Sequence, residues 1–159
     1  MADQVIRHVV EEDWPRLEPL WQMLYEHQSA HGMLLDFPPD AYERWRTSLR
    51  PLLGRFGFVL VAEGRGALLG FLAGRIRSQP PYFGGQPTGF ISDVFVEEAH
   101  RNRGTAGALL AASARWFEER EIGRVELQVL IGNSGALEFY RRRGWKEELV
   151  QMVRQAGGG

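Results

Sequence analysis

Phe90-Ile91-Ser92-Asp93-Val94-Phe95-Val96-Glu97-Glu98-Ala99-His100-Arg101-Asn102-Arg103-Gly104-Thr105-Ala106-Gly107-Ala108-Leu109-Leu110 runs from β-branched and aromatic residues, through a basic turn, into small and apolar ones. It reads as a strand, a short loop and a helix. A helix entered in this way leaves its first backbone N–H groups without intrahelical partners. Together with the positive end of the helix dipole, those donors make a cradle for phosphate. Arg101 and Arg103 place charge beside it. The glycine spacing is neither that of the nucleotide P-loop, since no Gly-Lys-Ser/Thr follows, nor that of the dinucleotide fingerprint.

A second segment lies downstream. Val125 to Leu130 alternates apolar and polar residues, as a strand with one covered face does. Asn133-Ser134-Gly135-Ala136-Leu137-Glu138-Phe139-Tyr140-Arg141-Arg142-Arg143-Gly144-Trp145 follows. Asn133 or Ser134 can cap a helix there. Ala136, Phe139 and Tyr140 fall on one helical face, and Gly144 can close the helix in the left-handed conformation.

Arg101-x-x-Gly104-x-Ala106 resembles the acetyl-coenzyme A signature, Gln/Arg-x-x-Gly-x-Gly/Ala, of the GNAT (GCN5-related) N-acetyltransferase superfamily. The second segment resembles that superfamily's closing motif, Asn-x-x-Ala-x-x-Phe-Tyr-x-x-x-Gly-Phe, with Trp145 in the last position. The two stand in family order, and the resemblance covers residues 4–154. It implies an α/β (α+β) fold with a mixed, strongly twisted sheet and helices on both faces, in the order β-α-α-β-β-β-α-β-α-β. The length suits one domain over 4–154, and 155–159 reads as a flexible tail.

Local patterns agree with that order. Gln4 to Val10 reads as a strand. Leu17, Leu20, Trp21, Leu24 and Tyr25 recur at helical spacing after the acidic start Glu11-Glu12-Asp13. Asp40 to Leu53 reads as a second helix that Pro51 disturbs. Phe56–Glu63 and Leu68–Ile76 read as a hairpin about Gly64-Arg65-Gly66. Ser78 to Gly89 reads as an exposed loop, and Leu149 to Val153 as a final strand.

Composition is that of an ordinary globular domain, 44% hydrophobic and 25% charged over 159 residues. A net charge of −1 gives no global field toward nucleic acid or anionic membrane. No apolar run approaches the ~20 residues of a bilayer span. The start lacks a secretory pattern, so the expected location is cytoplasmic. The chain has no cysteine, which removes thiolate metal sites and any acyl-cysteine intermediate.

The resemblance implies acetyl transfer from acetyl-CoA to a primary amine of a small molecule or peptide, directly, in a ternary complex and without metal. Other readings are an acyltransferase with a different donor or acceptor, or a non-catalytic CoA-binding or regulatory module. A homodimer is compatible with the family. CoA would be held by Arg101, Asn102, Arg103, Gly104, Thr105 and Ala106 at the pyrophosphate. Val94, Phe95 and Val96 would supply backbone groups for the thioester and pantetheine, with Asn133, Ala136, Tyr140 and Arg143 on the far side.

Tyr140 matches the family's general acid. A phenol with a pKa near ~10 is protonated at neutral pH and can donate to a leaving thiolate. An acceptor ammonium near ~10.4 must lose a proton, at about 4–5 kcal/mol at neutral pH. Asp93 is the candidate base or amine binder, or else a structural hydrogen-bonding group. His27, His31, Tyr82 and Asp93 are the candidate acceptor-binding residues.

Overall fold

A computed structural model describes residues 3–157. β1 (Gln4–His8) is followed by a 3-10 turn and α1 (Trp14–Ala30), then α2 (Ala41–Leu49), β2 (Gly57–Gly64) and β3 (Ala67–Ser78). β4 (Pro87–Val96), α3 (Thr105–Glu118), β5 (Val125–Leu127) and α4 (Ser134–Arg141) complete the order. One sheet runs β1-β2-β3-β4-β5, antiparallel throughout except for the parallel β4–β5 pair.

The sheet is covered on both faces. Leu17, Leu20, Trp21 and Leu24 recur at i, i+3, i+4 and i+7 on α1 and are buried with Tyr42 and Leu49 of α2. They pack on Val59, Val61, Phe71, Ala73 and Phe95. The opposite face, Phe58, Leu60, Ala62, Leu72, Ile91 and Val96, packs on Leu109, Leu110, Trp116 and Phe117 of α3. Phe139, Tyr140 and Trp145 close its edge. Alternate residues of each strand thus enter different cores, as the two-residue period requires.

Four sequence expectations are corrected. Leu149 to Val153 forms no strand; Leu149 is 88% and Met152 90% exposed. Alternation makes a strand only where an edge is available, and β5 offers three residues where Val125 to Leu130 predicted six. The segment is pinned at its start by Glu148, which pairs with Arg124 just before β5. The second helix ends at Leu49 and passes into a 3-10 turn over Arg50–Leu52, because Pro51 has no N–H to continue the ladder. The loop after β3 is shorter than expected, since β3 extends to Ser78 and β4 begins at Pro87. Within the expected tail, residues 155–157 are irregular and exposed; 158–159 lie outside the described residues.

The entry to α1 is held by a buried carboxylate. Asp13 has no exposed surface and accepts from Arg7 at 2.7 and 2.9 Å, from Arg16 at 3.2 Å and from the Val10 N–H at 2.8 Å. Hydrogen bonding from Arg7 is the main reason its pKa lies below the usual carboxylate value. A carboxylate with a lowered folded pKa stabilises the fold above its unfolded value of ~3.9 and loses that contribution as pH falls through its folded pKa. Asp13→Asn is expected to cost about 3 kcal/mol at neutral pH, at the low end for breaking a buried pair because Arg7 keeps some solvent. It is also expected to flatten the acid limb of stability. Urea unfolding from neutral pH to strong acid checks both effects.

Candidate active site

Beyond Val96 the chain makes a 3-10 turn over Glu98–His100 and reaches Gly104, which caps α3 with φ +78°. Asn102 is also left-handed, at φ +61°, a conformation asparagine tolerates better than most residues. The first N–H to return to the helix ladder is that of Ala108, bonded to Gly104 O at 2.9 Å. The N–H groups of Thr105, Ala106 and Gly107 are therefore free of that ladder. A Cβ at Gly104 would meet nothing within 4 Å, so the space before the helix is open.

The side chains there divide into two groups. Arg101 is turned back: Nε donates to Val96 O at 2.9 Å, and the guanidinium lies 5.5 Å from the Phe95 ring. The Thr105 hydroxyl is buried and donates to Gln4 Oε1 at 2.7 Å, so only its backbone faces the loop. Asn102 and Arg103 are exposed. Arg143 joins from the turn after α4, its guanidinium 3.7 Å from the Phe139 ring and close to Gly107 in the first turn of α3.

β4 and β5 part early. Their pairing ends at Ile91–Leu127, while β4 continues through Val96. Glu97 donates to Leu69 O on β3, and Val96 O turns outward to Arg101. Backbone groups alternate sides along a strand. The N–H groups of Val94 and Val96 therefore point to the edge that β5 has vacated, whereas Phe95 turns to β3. Across the gap, Asn133 caps α4 by accepting the Ala136 N–H at 3.1 Å. Tyr140 lies one to two turns further on, packed on Phe139 and Trp145. Burial pushes its pKa up to about 12, and its hydroxyl bonds to no other described side chain.

Asp93 is placed by a feature that its sequence does not announce. Ala73 pairs with Asp93 and Gly74 with Ile91, which makes Ser92 a bulge in β4. Ile91 consequently enters the α3 core, while Asp93 points to α1 and α2. Its Oδ1 accepts from Tyr25 at 3.3 Å; Oδ2 accepts from Trp45 Nε1 at 3.0 Å and from Ser92 at 2.6 Å. Burial raises its pKa, and the three donors work against that. With both oxygens engaged and only 5% exposed, Asp93 is geometrically a post that orients Tyr25 and Trp45. Tyr25, Trp45 and Ser92 escaped the sequence reading because helical spacing marked the first two as core and a bulge has no local signature.

His27 and His31 come together at the end of α1, with rings 4.3 Å apart and His31 Nδ1 donating to His27 O at 2.8 Å. His27 Nε2 lies 3.5 Å from Asn133 Nδ2. Tyr82 does not join them. It is 82% exposed in the β3–β4 hairpin, at the opposite end of β4, roughly 30 Å of strand from Val96.

The open β4 edge and the helix N-terminus behind a left-handed glycine lie at one end of the sheet, a geometry that suits a phosphate-bearing ligand. The chain belongs to the acetyltransferase (GNAT) family, whose model matches residues 14–145. An uncharacterized N-acetyltransferase of Methanocaldococcus jannaschii is 38% identical over 60 residues, 38% of this chain and 26% of that protein. An L-ornithine N5-acetyltransferase of Arabidopsis thaliana is 36% identical over 55 residues, 35% of this chain and 24% of that protein. The matches thus span about a quarter of these curated relatives.

Among solved structures, the aminoglycoside N-acetyltransferase AAC(6')-Iy in complex with CoA has a TM-score of 0.77 at 21% identity, over 96% of this chain and 95% of that one. Glucosamine-6-phosphate N-acetyltransferase of Arabidopsis thaliana has a TM-score of 0.69 at 17% identity, over 96% and 98%. At these identities the likeness shows the fold.

Proposed function

We propose that residues 4–154 act as one domain transferring an acetyl group from acetyl-CoA directly to a primary amine of a small molecule or peptide. The observation that carries this is the vacated β4 edge beside the N-terminus of α3. The residues present fit CoA. The N–H groups of Thr105, Ala106 and Gly107, with the Asn102 to Gly104 backbone, suit the pyrophosphate, and Arg103 and Arg143 add charge. Arg101 contributes by holding the end of β4. The Val94 and Val96 N–H groups suit the acyl and pantetheine oxygens, with Phe95 holding the strand to β3, and Asn133 and Ala136 form the opposite wall. Preorganised donors of this kind contribute about 3–4 kcal/mol to a barrier. When bound, acetyl-CoA supplies the activated acyl group.

Tyr140, protonated at neutral pH, donates to the sulfur as it leaves. The absence of cysteine supports direct transfer in a ternary complex over an acyl-thiol intermediate. Asp93 holds Tyr25 and Trp45, while His27 and His31 line the acceptor side. The expected location is the cytoplasm; among the described residues no helix is long and apolar enough to cross a membrane.

The relatives' named acceptors set the first amine panel: ornithine, aminoglycosides and glucosamine 6-phosphate. Calorimetric binding of acetyl-CoA followed by amine-dependent thiol release tests the reading. Binding without release from any amine favours the non-catalytic CoA-binding module, and absence of binding removes both.

A further inference from the structure

Resting on that acyl-transfer reading, we propose that His27 is the general base of the reaction and that Nε2 is the atom that takes the acceptor's proton. With Asp93 enclosed by its three donors, the attacking nitrogen needs another proton acceptor, and His27 stands where the walls of the cleft meet. α1 approaches the β5–α4 loop so closely that a Cβ on Gly132 would come within 2.6 Å of His31 O. From this contact His27 reaches Asn133 on the α4 side, and Arg101 and Glu98 of the β4–α3 connection act on it from the other.

The hydrogen bonds around it select a tautomer. Asn133 Oδ1 is committed to the Ala136 N–H, so the amide turns its NH2 toward His27. An NH2 group only donates, so Nε2 faces it as a lone pair and the ring proton resides on Nδ1. At 3.5 Å the contact is at the outer limit of a hydrogen bond, and an entering amine N–H can replace it. Burial, then His31 and Arg101, favour the neutral ring, and Glu98 works against them. His31 has its Nδ1 tied to His27 O and serves as a support for the ring.

The step balances without an oxidant or reductant. The amine nitrogen bonds to the acyl carbon as the carbon–sulfur bond breaks. The nitrogen proton passes to His27 Nε2, and the bonding electron pair leaves with sulfur as a thiolate that accepts a hydrogen bond from the Tyr140 hydroxyl. His27 passes its proton to water after the products leave.

Long-range proton–nitrogen NMR of the imidazoles in the whole chain reads the premise directly. At neutral pH, Nε2 of His27 is expected to be unprotonated and Nδ1 protonated. Adding CoA is expected to shift the His27 signals and leave His8 on β1 unmoved. With the amine that supports thiol release, His27→Gln and His27→Ala are expected to lower kcat/KM about 100-fold. The acid limb of the pH profile should disappear, with acetyl-CoA affinity held within about twofold. CoA binding that leaves His27 unshifted, an Nε2 proton at neutral pH, or a His27→Gln enzyme that keeps the rate and acid limb would each overturn the assignment while leaving acyl transfer intact. Failure of the wild-type chain to bind CoA by calorimetry would instead remove the acyl-transfer reading, and the base with it.

Discussion

Tyr140→Phe is expected to lower kcat by about two orders of magnitude or more while acetyl-CoA binding stays within about twofold. The change removes one oxygen and keeps the ring that packs against Phe139 and Trp145, so the fold should tolerate it. Proton donation by a positioned side chain contributes about 10²–10⁴-fold. Burial raises the phenol to about 12, so it is protonated at any working pH. The same shift makes full transfer to a thiolate of pKa near ~8.5 uphill. The hydroxyl therefore acts as a donor that strengthens as charge develops on sulfur. The sign for pH follows: loss of this proton should produce no alkaline decline until about pH 11–12, so any decline at lower pH belongs to another group. Initial-rate thiol release across pH, with calorimetry on the same variant, checks both parts. Undiminished turnover would assign Tyr140 to the core alone.

Gly104→Val is expected to abolish measurable acetyl-CoA binding, at least about 100-fold weaker, with only a small loss of stability. The φ of +78° costs a β-carbon residue roughly 1–2 kcal/mol. No neighbour lies within 4 Å of the new Cβ, so no packing is lost in the free protein. What the side chain occupies is the open space before the α3 N–H groups, where a pyrophosphate must approach the backbone. For a chain of this size the strain should lower Tm by roughly 2–8 °C. Thermal unfolding beside calorimetry separates this from collapse of the fold. Wild-type affinity in the variant would overturn the phosphate-loop assignment.

The elements that the sequence revealed are those whose signal is local. Leu17, Leu20, Trp21 and Leu24 repeat at helical spacing, and all four are buried on one side of α1. Gly144 was read as closing α4 in the left-handed conformation, and its φ is +86°. Asn133 and Ser134 were the two candidate caps, and it is the Asn133 side-chain carbonyl that accepts the Ala136 N–H. Other features depend on partners distant in sequence. Leu149 to Val153 has the alternation of a strand and pairs with no described strand. Thr105 presents a hydroxyl on paper, and Gln4 of β1 takes it. Tyr82 and His27 looked like parts of one acceptor wall and lie at opposite ends of β4.

Residue order alone thus determined the succession of helices and strands from β1 to α4, the glycine-led turn into α3 and the residues able to cap, donate or accept, because periodicity and φ preference act within a few residues. Tertiary structure alone decided which of them share a cleft. The bulge at Ser92 turns Asp93 toward α1 and α2, the short β5 leaves Val94 and Val96 unpaired on one edge, and the approach of α1 to Gly132 brings His27 to Asn133. Each outcome is set by long-range packing and strand register, whose energies depend on contacts that no short window of sequence contains.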